Sequence, residues 1–353
     1  MLPLTLKVLR DPERALRLGP DDWTRLVLEA RDAGLLARLG ARLEKHGLLT
    51  EIPDGPRRHL EGMARYAAKL HTDILAEIGF VRDALASRGI DLVLMKGAAY
   101  VAAESPAAEG RIFEDIDLLV PEPQIAKAEE ALVEAGWTRP ALDAHDTRYY
   151  YEWMHQIPPL VHRERGSLVD VHHNIVPRTA KPRIDAHKLL AEATPTSVPG
   201  VYTLSPTDLL LHSAVHLFND GDFTSGLRDL SDMDLMLTAR ATDQNTAGLL
   251  GERARDLGLT RPASDALNLC RRLFQTPFPP PVNGSEARRG RLAEWLLHKC
   301  FAQAVQPLTS SPDSWPALAR FALYIRGHVL KMPLHLLIPH LVFKTYRNAL
   351  SKS

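Results

Sequence analysis

The segment from Leu92 to Val120 constrains the fold more than any other part of the chain. It begins with an apolar run that ends at Lys96 and Gly97, continues through an alanine-rich stretch, and ends in the run DIDLLV. Short apolar runs on either side of a helix-forming stretch predict two strands joined by a helix. Because side chains alternate between the faces of a strand, Asp115 and Asp117 would share one face.

Two carboxylates on one face of a strand repel each other, and a cation between them relieves the repulsion. Mg²⁺ in proteins typically takes one or two carboxylates together with water and substrate phosphates. The Asp-x-Asp spacing recurs near residues 220 and 232, so spacing alone is a weak signal. The first copy differs because strand-type apolar residues surround it. We interpret Asp115 and Asp117 as a metal-binding pair, with a solvated strand edge as the alternative.

A second extended region follows at residues 161–175, VHRERGSLVDVHHNI. It predicts a β-hairpin with its turn near Arg165-Gly166-Ser167. On the second strand of this hairpin Asp170 and His172 share a face, which makes that face the candidate partner for the earlier aspartate pair. His172 could adjoin the site or be a hydrogen-bonded histidine of the sheet. The tyrosine-rich stretch at residues 147–160 is also strand-like.

The residues around these strands include candidate phosphate ligands. Gly97 opens the predicted helix, so backbone N–H groups there could face an anion, with Lys96 supplying charge. The alternative is a plain strand-to-helix turn with a surface lysine. Arg111 precedes the aspartate pair and could clamp a phosphate in a bidentate way, or pair with Asp115 or Glu114.

The flanking regions have helical periodicity, which predicts an α+β fold. We expect an N-terminal helical region at residues 1–89, a core with a small mixed sheet at residues 90–200, and a C-terminal helical region at residues 201–353. The sheet itself is expected from about Asp91 to Ile175, and residues 177–199 are interpreted as a proline-interrupted link.

Composition bounds the class of protein. Of the 353 residues 45% are apolar, which is ample for a core, and acidic and basic residues balance at 43 each, so no overall charge favours a nucleic-acid partner. Cys270 and Cys300 are too few for a disulfide framework. The N-terminus lacks a signal-peptide pattern, and no stretch approaches about 18 uninterrupted apolar residues. We therefore expect a cytoplasmic protein without a transmembrane segment.

The segments LMKGAA, GR, EDIDLLV and LVDVHHNI together resemble the uncharacterised nucleotidyltransferase-like family of the polymerase-beta-type nucleotidyltransferase superfamily. The resemblance covers roughly Gly34 to Ala239. It implies a short mixed sheet in which Asp115 and Asp117 bind two Mg²⁺ ions, while Asp170 on a neighbouring strand binds the nucleophile-side ion and assists deprotonation. Better-studied superfamily members carry Gly-Ser at the turn that here reads Lys96-Gly97.

The resemblance predicts a Mg²⁺-dependent enzyme that transfers a nucleoside monophosphate from an NTP such as ATP to a hydroxyl of an unknown acceptor, by two-metal catalysis. The acceptor would be a small molecule, a peptide or a protein. Since the turn departs from Gly-Ser, the alternative is a fold that has lost catalysis and serves as a binding or accessory protein of a biosynthetic or toxin–antitoxin cluster.

The C-terminal region adds three further expectations. His212 and His216 have metal-ligand spacing on a helix, although the glutamate of a metalloprotease motif is missing. Asp229 could reach the active cleft or pair with His216. After Asp313 no acidic residue occurs, so the basic, apolar tail could contact an anionic surface or membrane interface, or pack onto the body of the protein.

Overall fold

The fold is taken from a computed structural model, which describes residues 2–181, 183–243, 245–278, 291–310, 315–339 and 341. Its α-helices are α1 (Leu4–Arg10), α2 (Pro20–Asp32), α3 (Leu36–Lys45), α4 (Asp54–Ala86), α5 (Lys96–Ala102), α6 (Ile125–Glu134), α7 (Ala144–Arg148), α8 (Ala186–Ala191), α9 (Pro206–Asp220), α10 (Gly226–Thr238), α11 (Thr246–Asp256), α12 (Thr260–Phe274), α13 (Arg291–Ala304) and α14 (Trp315–Lys331). Its strands are β1 (Leu92–Leu94), β2 (Asp115–Leu119), β3 (Trp137–Thr138), β4 (Leu160–His162), β5 (Leu168–His172), β6 (Thr194–Pro195) and β7 (Val201–Thr203).

The strands of the described residues form one mixed sheet with the order β3-β4-β5-β2-β1-β7-β6. The central strand β2 runs antiparallel to β1 and parallel to β5. Strands β4 and β5 form the predicted hairpin. The α+β fold class predicted from the sequence is therefore confirmed.

The core of the sheet lies where the sequence has its longest apolar runs. Ile116, Leu118, Val169 and Val171 are at most 1% exposed. In β2 and β5 these residues alternate with the aspartates, so the sheet has an apolar face and a face that carries carboxylates. Helix α6 packs against β3 and β5, and the long helix α4 contacts β1, α5 and α6.

Two helices of the C-terminal region line the carboxylate face and therefore matter for the site. Helix α9 begins with Pro206 in its first turn, and the Ser205 hydroxyl accepts a hydrogen bond from the backbone N–H of Asp208 at 3.1 Å. It ends at Gly221, whose φ of +78° is the left-handed conformation that favours glycine. Helix α10 packs against α9.

Two local predictions were wrong. The segment interpreted as a link contains β6, and β7 follows it, so the sheet continues to residue 203 instead of ending near Ile175. Strand β6 was not predicted because it contains a proline, which is rare within sheets. Proline is tolerated in β6 because that strand lies at the sheet edge. The tyrosine-rich stretch predicted as a strand begins with the last two residues of α7 and continues as a helical turn at Tyr149–Trp153. The Asp143 carboxylate caps α7 by accepting from the Asp146 N–H, and this capping outweighs the strand preference of aromatic residues.

None of the described helices is both long enough and apolar enough to cross a membrane.

Candidate active site

The site is built on the pairing of β2 with β5. In the parallel register Asp117 lies beside Asp170, and Leu119 lies beside His172. Residues paired in this way point to the same face, so Asp115, Asp117, Asp170 and His172 all lie on the carboxylate face. The structure thus brings together the two aspartates of the first segment and the aspartate of the later hairpin.

Lys96 neutralises part of this negative charge. Its Nζ lies 2.7 Å from Oδ1 of Asp117, whose side chain is 2% exposed. Burial lowers the pKa of Lys96, but the negative charge of Asp117 outweighs burial and holds that pKa above its ordinary range. Lys96 has a φ of +48°, a left-handed conformation that costs a non-glycine residue about 1–2 kcal/mol. The ion pair is therefore held in place by a strained turn between β1 and α5.

His172 binds the same carboxylate oxygen. Its Nε2 is 2.9 Å from Oδ1 of Asp117, and both side chains are almost fully buried. Burial raises the pKa of Asp117, yet Lys96 and His172 together lower it below the ordinary range, so the carboxylate is ionised. An ionised carboxylate can only accept, so Nε2 of His172 donates, and its buried Nδ1, which has no hydrogen-bond partner among the described residues, carries the lone pair.

Two more buried imidazoles surround this group. Burial lowers the pKa of His155 and of His212 well below the ordinary value, so both are neutral. The His155 ring centroid is 5.2 Å from that of His172. His212 and His216, whose spacing is that of metal ligands, do not belong to a group of three possible ligands among the described residues, and Nδ1 of His216 binds Asp220.

Asp170 has a buried carboxylate oxygen that lacks a donor among the described residues. Its Oδ2 accepts one long hydrogen bond, 3.3 Å from Nε2 of Gln156, and its buried Oδ1 has no partner in the described part of the chain. Burial and the charges of Asp117 and Asp115 raise the pKa of Asp170 to about 7. Burial and Asp117 also raise the pKa of Asp115. A buried carboxylate oxygen without a donor indicates a place for a cation.

The donor set fits a divalent ion. Ligand atoms of Asp117, Asp170 and His172 all lie within 4.8 Å of one another. Carboxylate oxygens are the ligands that Mg²⁺ prefers, and an imidazole is also suited to transition metals. Asp115 is not part of this close group, but it lies two residues earlier on the same face of β2.

A cleft of about 460 Å³ opens at the carboxylate face. One wall carries Lys96, Asp115 and Asp117. The opposite wall comes from α9 and α10 and carries His216, Arg228 and Asp229. Of the two possibilities considered for Asp229, the structure thus has it in the cleft. A cleft of this size, with cations and anions on facing walls, can hold a charged small molecule.

Comparison with protein families decides the assignment. The model of a family described as uncharacterised nucleotidyltransferases matches residues 19–275, which is more than two thirds of the chain. The chain belongs to this nucleotidyltransferase family. The match includes all strands of the sheet and both helices that line the cleft, and it extends beyond the resemblance found from the sequence at both ends. The comparisons with curated proteins and with solved structures each found no match.

Family membership indicates nucleotidyl transfer as the general activity of this protein. Five of the predicted site residues of the nucleotidyltransferase lie at two depths. Asp117, Asp170 and His172 are buried at the sheet, and Lys96 and Asp115 lie at the boundary between the sheet and the cleft.

Arg111 has different partners from those the sequence suggested. Its Nε is 2.8 Å from Oδ2 of Asp232, and a terminal nitrogen is 3.5 Å from Oδ1 of Asp229, whereas pairing with Asp115 or Glu114 was considered. Asp232 in turn binds the buried Arg38 at 2.7 Å. Arg111 therefore ties the segment that precedes β2 to α10, through carboxylates that lie more than 100 residues away in the sequence. Its predicted role in binding phosphate stays a prediction.

Gly97 is required by packing. A Cβ atom at this position would lie 2.6 Å from Cγ of Phe113 and 2.9 Å from both Cδ atoms. The sequence interpretation, that glycine allows a phosphate to approach the backbone, is not needed to explain this residue. The ring of Phe113 already occupies the space above it.

One pair in the nucleotidyltransferase cleft was not recognised from the sequence. Nδ1 of His216 is 2.8 Å from Oδ2 of Asp220, and Nζ of Lys331 on α14 is 3.2 Å from the other oxygen. Burial raises the pKa of Asp220, but His216 and Lys331 outweigh burial and hold it below the ordinary range. His216 and Asp220 are one helical turn apart, and this spacing was the available signal.

Proposed function

We propose that this protein transfers a nucleoside monophosphate from an NTP to a hydroxyl of an acceptor, in a reaction that depends on Mg²⁺. The observation that carries the proposal is the register of β2 and β5, which sets Asp117 beside Asp170, where a buried oxygen of Asp170 has no donor in the part of the chain that the structure describes. Family membership supports the same class of reaction.

Asp117 and Asp170 would hold the divalent cation, and Asp115 is the residue available for a second one. An ion bound there would lower the pKa of the acceptor hydroxyl and offset charge on the leaving pyrophosphate. In the proposed reaction the acceptor oxygen forms a bond to the α-phosphorus. The bond from that phosphorus to the oxygen bridging to the β-phosphate breaks, and its electron pair leaves with pyrophosphate.

The cations of the cleft would bind the triphosphate. Lys96 is 25% exposed in its side chain and faces both Asp117 and the cleft. Arg228 is 23% exposed and lines the opposite wall, where both hydrogen bonds from its guanidinium go to a single oxygen of Asp229. A guanidinium held in this way keeps further N–H groups for a phosphate oxygen.

We assign to His216 the role of general base, which takes the proton from the acceptor hydroxyl. Asp220 is ionised and can only accept, so Nδ1 of His216 donates to it, which leaves Nε2 as the ring nitrogen that would take the proton. The buried carboxylate fixes the tautomer and orientation of the ring, which is the arrangement that a general base requires. Asp170 was the candidate for this step from the sequence, but it is better placed as a metal ligand.

The direct test is isothermal titration of ATP, GTP, CTP and UTP into the protein with Mg²⁺ and, separately, with EDTA. We expect one or more nucleotides to bind only with Mg²⁺, and Asp170→Asn to abolish that binding. Asp73→Asn is the matched control, since Asp73 lies exposed on α4 and pairs only with Lys69 on the same helix among the described contacts. No heat with any of the four nucleotides would overturn the proposal.

A second function is favoured by one observation. The Lys96 ammonium already lies against Asp117, where a cation would bind, so the fold could serve as a metal-independent binding protein. Incubation with Mg²⁺, each NTP and cell extract, followed by mass spectrometry, separates the two. Transfer adds the mass of one nucleotide to an acceptor, and that product must be missing with Asp170→Asn. Nucleotide binding that persists in EDTA, without any product, would favour the binding protein.

A further inference from the structure

The basic C-terminal tail packs onto the body of the protein as far as the structure describes it, which was one of the two possibilities considered for the tail. The inner face of α14 is buried. Arg320 and Arg326 donate to backbone carbonyls, and Lys331 pairs with Asp220, so the cations of α14 have partners. The basic residues that follow, Lys344, Arg347 and Lys352, lie outside the described residues.

A different group of arginines lines a pocket of about 180 Å³ where α1, α3 and α10 meet. We call it the arginine pocket, because Arg10 at the end of α1 and Arg38 and Arg42 on α3 all line it. Arg38 and Arg42 are one helical turn apart and therefore lie on the same face of α3. The pocket shares no lining residue with the cleft, which takes its residues from another face of α10. It is therefore a separate cavity.

The wall of the pocket that Arg38 forms belongs to a buried network with excess positive charge. Arg38 pairs with Asp232 at 2.7 Å, and Asp232 also binds Arg111 at 2.8 Å. Through Asp229 the network extends to Arg228. Three guanidinium groups thus share two carboxylates, which leaves one positive charge in excess.

Arg10 and Arg42 have no acidic partner among the described residues. Neither side chain forms an ion pair or a hydrogen bond in the part of the chain that the structure describes, and Nε of Arg42 is buried without an acceptor. A buried N–H group that has no acceptor costs free energy. An oxyanion that accepts from both guanidinium groups would offset this cost.

Two acidic residues also line the pocket, Asp234 and Glu109. Oδ1 of Asp234 accepts a hydrogen bond from the Thr276 hydroxyl at 2.6 Å, and burial raises the pKa of Asp234, so its charged form is disfavoured. Glu109 is half-buried. Even with both carboxylates ionised, they offset only the charges of the two uncommitted arginines, and the excess charge of the buried network remains.

The size and the donors of the pocket favour a phosphoryl group on a small body. A volume of about 180 Å³ holds about six water molecules and is below the roughly 300–1,000 Å³ of pockets that enclose a drug-sized ligand. Guanidinium groups match the oxygens of phosphate, and a phosphoryl charge of about −1.5 to −2 at pH 7 suits two arginines better than a single carboxylate does. Leu9, Leu235 and Phe274 give the pocket an apolar wall.

We propose that the arginine pocket binds the phosphoryl group of a small molecule. Arg10 and Arg42 donate to its oxygens, Arg38 adds positive charge from the wall, and the apolar wall contacts the body of the ligand. Helix α10 carries Arg228 and Asp229 in the cleft, so the ligand would contact this helix from another face.

The test uses the full-length protein in EDTA, with inorganic phosphate and phenyl phosphate as probes and chloride at the same ionic strength as reference. We expect both probes to raise the temperature of thermal unfolding above that in chloride, and phenyl phosphate to bind more tightly in isothermal titration because of the apolar wall. Arg42→Gln should weaken the binding of phenyl phosphate about tenfold or more, because it removes charge-assisted hydrogen bonds. Arg10→Gln should weaken it several-fold.

The matched control is Arg58→Gln, since Arg58 is exposed on α4 and lies outside the pocket. Arg228→Gln is the second control, because it removes a cation from the cleft and leaves the pocket intact. Circular dichroism checks the fold of each variant, and Arg10→Gln decides the outcome if Arg42→Gln does not fold.

The proposal fails if neither probe binds, or if the pocket variants weaken binding no more than Arg58→Gln does. It also fails if Arg228→Gln abolishes binding while the pocket variants keep it, since the anion would then lie in the cleft. The nucleotide binding expected of the proposed function needs Mg²⁺, which EDTA removes, so either proposal can fail while the other stands.

Discussion

Replacing Gly97 by alanine separates two explanations for this glycine, packing and phosphate access. The backbone at Gly97 does not require glycine, and alanine within a helix is ordinarily better by about 1 kcal/mol. This gain is opposed by a steric clash, because the new Cβ would lie 2.6 Å from Cγ of Phe113. Cγ lies on the Cβ–Cγ axis about which the ring rotates, so rotation of the ring does not relieve the contact.

The size of the effect follows from that geometry. Phe113 is 7% exposed, and moving its ring aside gives up burial worth about 2–3 kcal/mol. Inserting a methyl group into a packed core usually costs about 1–3 kcal/mol. We therefore expect Gly97→Ala to lower the free energy of unfolding by about 2 kcal/mol.

The assay is a double-mutant cycle in urea, followed by circular dichroism, with the wild type, Gly97→Ala, Phe113→Ala and the double variant. Phe113→Ala alone should cost about 3–5 kcal/mol. In that background Gly97→Ala should cost nothing or stabilise slightly, which gives a coupling energy of about 2 kcal/mol or more.

Equal costs for Gly97→Ala in both backgrounds would refute the packing explanation. Titration of the double variant with the nucleotide that binds the wild type then tests phosphate access separately. If stability is independent of the ring but nucleotide affinity falls, the glycine serves the phosphate.

Two further predictions concern buried ion pairs. Arg38→Met removes one of the two arginines that pair with the buried Asp232 and leaves Arg111 as the other. It also removes the donor to the backbone carbonyls of Ala107 and Glu109. Because buried acceptors lose a donor, we expect the free energy of unfolding in urea to fall by about 2–3 kcal/mol, and a loss below about 0.5 kcal/mol would contradict this. Glu77 is buried, which raises its pKa, but hydrogen bonds from Arg165 and Ser167 outweigh burial and lower it. A carboxylate with a lowered pKa stabilises the fold above its unfolded pKa, and that contribution is lost as pH falls through the folded value. The stability difference between the wild type and Glu77→Gln should therefore shrink from about pH 7 to about pH 3, and a constant difference would show that charge is not involved.

The parts of the site that depend on local pattern could be predicted from the sequence. Alternation along a strand is enough to place Asp115 with Asp117 on one face of the first strand, and Asp170 with His172 on one face of the second. That the two strands are neighbours came from the family resemblance, because strand order is set by long-range packing that a local pattern does not contain.

The partners of buried charges could not be predicted for the same reason. Arg111 has acidic neighbours in sequence, yet its ion pairs go to α10. Lys96 was interpreted as a phosphate ligand or a surface lysine. Its contact with Asp117 depends on a left-handed backbone conformation, which cannot be predicted from the sequence because lysine rarely adopts it. The edge strand β6 was not predicted because it contains a proline.

The strained turn that holds Lys96 against Asp117 has a consequence for how the protein exists before it meets a metal. The protein can fold without an ion, because the ammonium of Lys96 already offsets the charge of Asp117. In the proposed reaction an incoming ion would meet an ammonium that is already in contact with one of its ligands, so this ion pair would lower the affinity for the metal. Nucleotide phosphates would attract both the ion and the lysine, and would therefore favour the metal-bound form.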